Sequence, residues 1–224
     1  MDIQEIFSLQ LVKLPYTTKF KMLSNAQAFL YVAASVTARN AAGLIGVNVK
    51  IDDTVLAASV VYANEPGSSR PTVAMLVKIP NPTLGEHTLT LEATTQITMV
   101  GPLDYACGTI FYQGASVDPL IWRVSGPVPK QTKFKSLISG TAVLYLAGSG
   151  YIKSPQVCGL SVQLDGKTVA KTQMLPGIGN SHFAFPPIFV PVQLKAKEYD
   201  IGIVQTIGEV QSDENDNYEV GILY

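Results

Sequence analysis

The sequence predicts an all-β protein built from two tandem antiparallel β-sandwich domains. Three observations carry this expectation. The two halves of the chain resemble each other in order, apolar and polar residues alternate at a period of two, and no stretch holds a helical period.

Self-similarity comes first. Thr18-Lys19-Phe20-Lys21 recurs as Thr132-Lys133-Phe134-Lys135. In the same register, Ala28-Phe29-Leu30-Tyr31-Val32-Ala33 recurs as Ala142-Val143-Leu144-Tyr145-Leu146-Ala147. After a one-residue slip, Gly46-Val47-Asn48-Val49-Lys50-Ile51-Asp52 matches Gly159-Leu160-Ser161-Val162-Gln163-Leu164-Asp165. Gly85 to Leu91 then corresponds to Lys197 to Ile203, which sets His87 against Tyr199. Each copy closes on a Tyr-led segment, Tyr105 to Tyr112 and Tyr218 to Tyr224. The expected division is an N-terminal arm over 1–12, copy one over 13–112, a linker over 113–128 and copy two over 129–224. Gly and Pro punctuate the linker. Its apolar centre, Leu120-Ile121-Trp122, reads as a wedge that sets the angle between domains.

Alternation defines the strands. Val47, Val49 and Ile51 face one way while Asn48 and Lys50 face the other, and Leu160, Val162 and Leu164 repeat this against Ser161 and Gln163. Asp165-Gly166 has the chemistry of a tight hairpin, because Gly adopts positive φ without steric cost. Seven or eight strands per copy imply a two-sheet sandwich of immunoglobulin-like or jelly-roll topology.

Several motifs point further. Copy two has a small-residue turn, Ala147-Gly148-Ser149-Gly150-Tyr151, then the strand Gly159 to Asp165 ending in Asp165-Gly166-Lys167, then Ser181-His182-Phe183, then the acidic turn Asp213-Glu214-Asn215-Asp216-Asn217-Tyr218. Copy one adds Gly85-Glu86-His87-Thr88-Leu89-Thr90-Leu91. Together these resemble the tumour-necrosis-factor-like jelly-roll modules of phage and other viral structural proteins and of some bacterial surface proteins. Copy one departs from the pattern with Asp52-Asp53 and with Gly101-Pro102-Leu103-Asp104. The resemblance implies trimer-forming or capsid-building sandwiches and does not imply catalysis.

Composition and single residues narrow the function classes. Of 224 residues, 15% are charged and the net charge is −1, with no basic stripe for nucleic acid. The N-terminus has acids where a secretory signal needs positive charge, so no signal peptide is expected. The apolar stretch from Ala26 to Ala38 is too short and too interrupted for membrane insertion. His87 shares its position with Tyr199, and His182 faces no His in copy one, so both read as structural. Cys107 aligns near Val220 and Cys158 with Ile45, which makes both small buried hydrophobes rather than a disulfide or a zinc pair. Ser212 to Asn217 lacks the regular ligand spacing of a Ca²⁺ loop and reads as a solvated turn. Lys19, Lys21, Lys133 and Lys135 read as guards of exposed sheet edges.

The resulting expectations are no enzyme, no catalytic residue, no cofactor and no metal. The chain is expected to be a non-enzymatic structural component of a virion or phage particle, made in the host cytoplasm. Its partners would be copies of itself and other particle proteins. The alternative is a carbohydrate- or receptor-binding module that takes surface glycan. The candidate contact residues are Trp122, Phe183, Phe185, Phe189, Tyr151 and Tyr62, with the run Phe183 to Pro191 expected at the surface.

Overall fold

Strands that alternate at a period of two must hide one face each, and here they do so by stacking four-stranded sheets in pairs. The computed structural model describes residues 1–10, 13–66, 70–100, 104–114, 117–208 and 212–224. The chain divides into unit 1, Met1–Ser116, and unit 2, Val117–Tyr224. Unit 1 contains β1 (Asp2–Gln10), β2 (Tyr16–Met22), β3 (Gln27–Ser35), β4 (Thr37–Ala38), β5 (Gly43–Ile51), β6 (Thr54–Ala63), β7 (Thr72–Ile79), β8 (Gly85–Ala93), β9 (Thr98–Met99) and β10 (Tyr105–Gln113). Unit 2 contains β11 (Leu120–Ser125), β12 (Lys130–Lys135), β13 (Gly140–Ile152), β14 (Cys158–Leu164), β15 (Lys167–Met174), β16 (Ser181–Leu194), β17 (Glu198–Ile207) and β18 (Asn217–Leu223). No helix occurs among the described residues, and therefore none is long and apolar enough to cross a membrane.

In unit 1 one sheet has the order β1-β10-β3-β7 and the other β2-β8-β5-β6. In unit 2 the orders are β11-β18-β13-β16 and β12-β17-β14-β15. Leaving aside the short β4–β9 ladder, these are the same order twice. Each is an eight-stranded jelly roll, in which the last strand lies between the first and the third. Between the sheets of unit 1 lie Leu30, Val32, Ile45, Val47, Leu89 and Leu91. Between those of unit 2 lie Leu144, Leu146, Leu160, Val162, Ile201 and Ile203. The lysine-bearing strands β2 and β12 are sheet edges, and Lys19 and Lys133 pair with Glu86 and Glu198 at 2.7 and 2.8 Å.

Three sequence expectations change. Residues 2–10 of the expected arm form β1, paired along β10; residues 11–12 lie outside the described set. The expected linker contains β11, paired with β18. Pairing registers set Phe7 opposite Gly108 and Trp122 opposite Val220, so Trp122 occupies the place of the core residue Phe7. It is half-buried against the unit 2 core. The registers also move the closing strands by one residue: Ala106 pairs with Ala34 and Tyr218 with Gly148, so Tyr218 corresponds to Ala106. Cys107 thereby matches Glu219 and is only half-buried, whereas Cys158 is fully buried; both are free thiols.

The run from Phe183 to Pro191 is split between core and surface, and a bulge explains which residues face in. Leu146 pairs with Ile188 but Gly148 with Phe185, so Pro186 and Pro187 oppose Ala147 alone. One extra residue inverts the alternation. Before the bulge Phe183 and Phe185 face the core, at 7% and 1% exposure, with rings edge-on at 4.9 Å. Beyond it Val192 and Leu194 face inward and Phe189 turns outward, over Tyr145 at 5.0 Å.

The hairpin turns agree although their sequences do not. Asp52 and Asp53 take φ of 48° and 66°, and Asp165 and Gly166 take 49° and 76°. Both central residues in the left-handed region make a type I′ turn, which Asp tolerates better than bulkier residues.

Gly46 and Gly159 occupy corresponding places in β5 and β14, where neighbouring backbone leaves no room for a methyl group. A Cβ on Gly46 would overlap the Ser59 carbonyl, and one on Gly159 would lie 2.9 Å from the Thr172 oxygen. Gly46→Ala and Gly159→Ala are each expected to lower unfolding free energy by about 1–3 kcal/mol in chemical denaturation. Gly114→Ala, whose Cβ meets nothing within 4 Å, should leave it unchanged.

Candidate functional site

The same polar corner is built in both units where the last strand enters its sheet. In unit 1, Ser35 at the end of β3 donates through Oγ to Asp104 Oδ1 at 2.9 Å and accepts the Tyr105 N–H at 2.9 Å. In unit 2, Ser149 in β13 donates to Asp216 Oδ1 at 3.0 Å and accepts the Asn217 N–H at 2.9 Å. Both aspartates are fully buried. A buried carboxylate is costly unless it is hydrogen-bonded and its charge is met.

Unit 1 meets that charge with arginine. Arg70 Nη1 lies 2.9 Å from Asp104 Oδ1. Unit 2 places a histidine there. Ser35 pairs with Thr72 and Ser149 with Ala184, so Arg70 and His182 hold corresponding positions just before β7 and near the start of β16. His182 is 4% exposed, and its Nε2 lies 3.3 and 3.2 Å from Asp213 Oδ1 and Oδ2. The ring is held by Tyr151, 5.1 Å away, whose hydroxyl donates to Asn180 Oδ1 at 3.1 Å.

The acidic turn is tied to this corner. Asp216 Oδ2 accepts the Asp213 N–H at 2.9 Å, and Asp213 Oδ1 accepts the Asn215 N–H at 2.7 Å. Burial pushes the Asp216 carboxyl up to about 6, against the Asp213 N–H and the nearby His182, which favour its charged form. Burial also works to raise Asp213, but the Asn215 N–H and His182 outweigh it and hold Asp213 below its ordinary value. Burial likewise raises Tyr218, two residues on, and the charges of Asp216 and Asp213 add to this.

The other end of each unit carries a second matched device. Asp52 Oδ1 accepts the Thr88 N–H at 2.8 Å while Oδ2 lies 2.6 Å from His87 Nδ1, and His87 Nε2 lies 2.8 Å from the Thr83 carbonyl. In unit 2, Asp165 Oδ1 accepts the Asp200 N–H at 3.0 Å and Oδ2 pairs with Lys197. Asp52 is lowered by the Thr88 N–H and then by His87, and His87 is raised by Asp52 and then by the Thr83 carbonyl. His87 thus fastens a turn to a loop.

The sequence-predicted contact residues are divided between the two units. Tyr62 and Tyr151 lie half-buried in different units, Phe183 and Phe185 are core, and of the six only Phe189 is exposed. The Gly101-Pro102-Leu103 departure lies outside the described residues. Sequence reasoning passed over the grouping of Ser149, His182, Asp213 and Asp216, whose members are scattered along the chain. The available signal was the combination of the isolated His182 with the acidic turn.

No protein-family model matches the chain, and no curated protein matches it. Solved structures do align with it. The glycosylasparaginase PNGase F from Flavobacterium meningosepticum is 8% identical, covering 99% of this chain and 95% of its own, with a TM-score of 0.47. The tandem CBM22 domains of Paenibacillus barcinonensis Xyn10C are 10% identical over 92% and 82%, with a TM-score of 0.27. The major capsid protein P2 of bacteriophage PM2 is 10% identical over 99% and 96%, with a TM-score of 0.29. The expectation that the chain is not an enzyme is corrected by the first of these. A β-sandwich fold by itself neither assigns nor excludes catalysis. None of the three reaches a TM-score of 0.5, and none assigns an activity.

A pH measurement separates the paired turns. A raised His87 stabilises the fold fully below its unfolded value of 6.5, and that contribution is lost as pH rises through the folded value. Asp52→Asn keeps an acceptor for Thr88 but removes the charge. It is expected to cost about 0.5 kcal/mol at pH 5.5, and less by pH 9, in urea denaturation. Asp165→Asn faces Lys197, which stays charged over this range, so its effect should be the same at both pH values.

Proposed function

We propose that this chain is a structural subunit of a virus or phage particle that associates, through its jelly rolls, with copies of itself and with other particle proteins. The observation that carries this reading is bare apolar surface at the loop ends of the jelly rolls. Leu23, Val55 and Leu84 of unit 1 are 60%, 57% and 61% exposed. They share one end, because Leu84 N–H bonds Asn25 Oδ1 at 2.9 Å and the Asp52–His87 pair ties the turn before Val55 to the β7–β8 loop. Leu137, in the corresponding β12–β13 loop of unit 2, is 58% exposed. At the opposite end of unit 2, Leu175 and Ile178 are 64% and 56% exposed. Clustered apolar side chains on a chain with 15% charged residues favour protein contact over solvation.

The glycan-binding alternative has less support. Stacking on a sugar ring needs aromatic faces open on a loop rim, whereas Phe183 is core and the Tyr151 ring is already covered by His182.

Light scattering on the purified chain across a wide concentration range is expected to give masses above the 24.0 kDa of one chain. Leu23→Glu combined with Leu84→Glu should reduce that mass while leaving circular dichroism and unfolding unchanged. A monomer at every concentration that also fails to bind purified particles would overturn the proposal.

A further inference from the structure

We infer that the Ser149 corner of unit 2 is a divalent-metal site, formed by His182 Nε2 with the carboxylates of Asp213 and Asp216, for a cation of the Zn²⁺ or Mn²⁺ class. The ligand atoms of these residues lie within 4.8 Å of one another. Metal–ligand bonds of about 2.0–2.2 Å bring neighbouring donors to roughly 3 Å, close to the His182–Asp213 separations already present.

Unit 1 supplies the independent argument. In its corresponding corner the buried aspartate is met by the fixed charge of Arg70. Unit 2 keeps the serine and the aspartate, replaces the guanidinium with an imidazole, and adds a second carboxylate. Two carboxylates and an imidazole leave negative charge where unit 1 holds a positive group, and a dication restores the balance. The Tyr218 hydroxyl is a further sign. It is buried, has no hydrogen-bond partner, and is influenced by both Asp216 and Asp213.

The donor set also selects the class of ion. Imidazole with two carboxylates suits borderline cations, whereas Ca²⁺ takes six to eight oxygens. The Asp213 side chain is 48% exposed and gives an ion a route from solvent, while His182 and Asp216 are buried and oriented by Tyr151 and Ser149.

The test uses the full chain, stripped with chelator and dialysed, then titrated with Zn²⁺, Mn²⁺ or Ca²⁺ and followed by melting temperature and calorimetry. Zn²⁺ or Mn²⁺ is expected to bind one per chain and raise the melting temperature by several degrees, with a smaller response to Ca²⁺. His182→Arg, which copies the unit 1 solution into unit 2, should abolish the metal response and stabilise the metal-free chain. Asp213→Asn, at a half-exposed position that tolerates change, should weaken binding at least tenfold and decides the matter if His182→Arg does not fold. A metal response that persists undiminished in these variants would overturn the assignment. So would the absence of any response to Zn²⁺ or Mn²⁺ in the wild type.

Discussion

Both halves of this chain depend on one insertion: the last strand of each unit completes a sheet by lying between the first and the third. β10 separates β1 from β3, and β18 separates β11 from β13. Neither sheet can exist in this form without it, and the apolar faces of the opposing sheet would have nothing to cover them. The serine–aspartate corner sits at the point of entry. Ser35 and Ser149 each hold the side chain of the preceding aspartate and the first backbone N–H of the incoming strand. A buried carboxylate is a costly way to make such a joint, and that cost is why each corner requires something positive beside it.

The two units answer that requirement differently, and the difference defines the candidate site. A guanidinium is always charged and brings its own geometry. An imidazole is charged only under some conditions and also ligates metals. With the strand order held constant, unit 2 has His182 in the place of Arg70 and brings the Asp213 carboxylate beside it. The opposite end shows the same pattern with the units exchanged. There unit 1 uses His87 against Asp52, and unit 2 uses Lys197 against Asp165.

The sandwich class and the similarity of the halves were legible because buried strand positions keep their spacing. Thr18-Lys19-Phe20-Lys21 and Thr132-Lys133-Phe134-Lys135 occupy matching edge strands, and His87 does stand where Tyr199 stands. The first strands were not legible. Asp2–Gln10 and Leu120–Ser125 differ in length, and a register shift after Glu5 changes their spacing. The Phe-Pro run misled for a related reason: the bulge at Pro186-Pro187 inverts which residues face inward. It also shifts the offset between the units, which hid the match of Arg70 with His182. The candidate site joins residues from three separated segments, and no local pattern announces such a grouping.

Each unit closes only when its final strand arrives, and this bears on synthesis. Unit 1 can close once Gln113 has emerged from the ribosome, before the strands of unit 2 have emerged. Two similar sandwiches in one chain run the hazard of exchanging strands, with β18 seeking the slot meant for β10. Vectorial synthesis removes the competitor: the first slot is already filled when the second set of strands emerges. Refolding from denaturant offers no such order, so the full-length chain should misassemble more often in the test tube than at the ribosome.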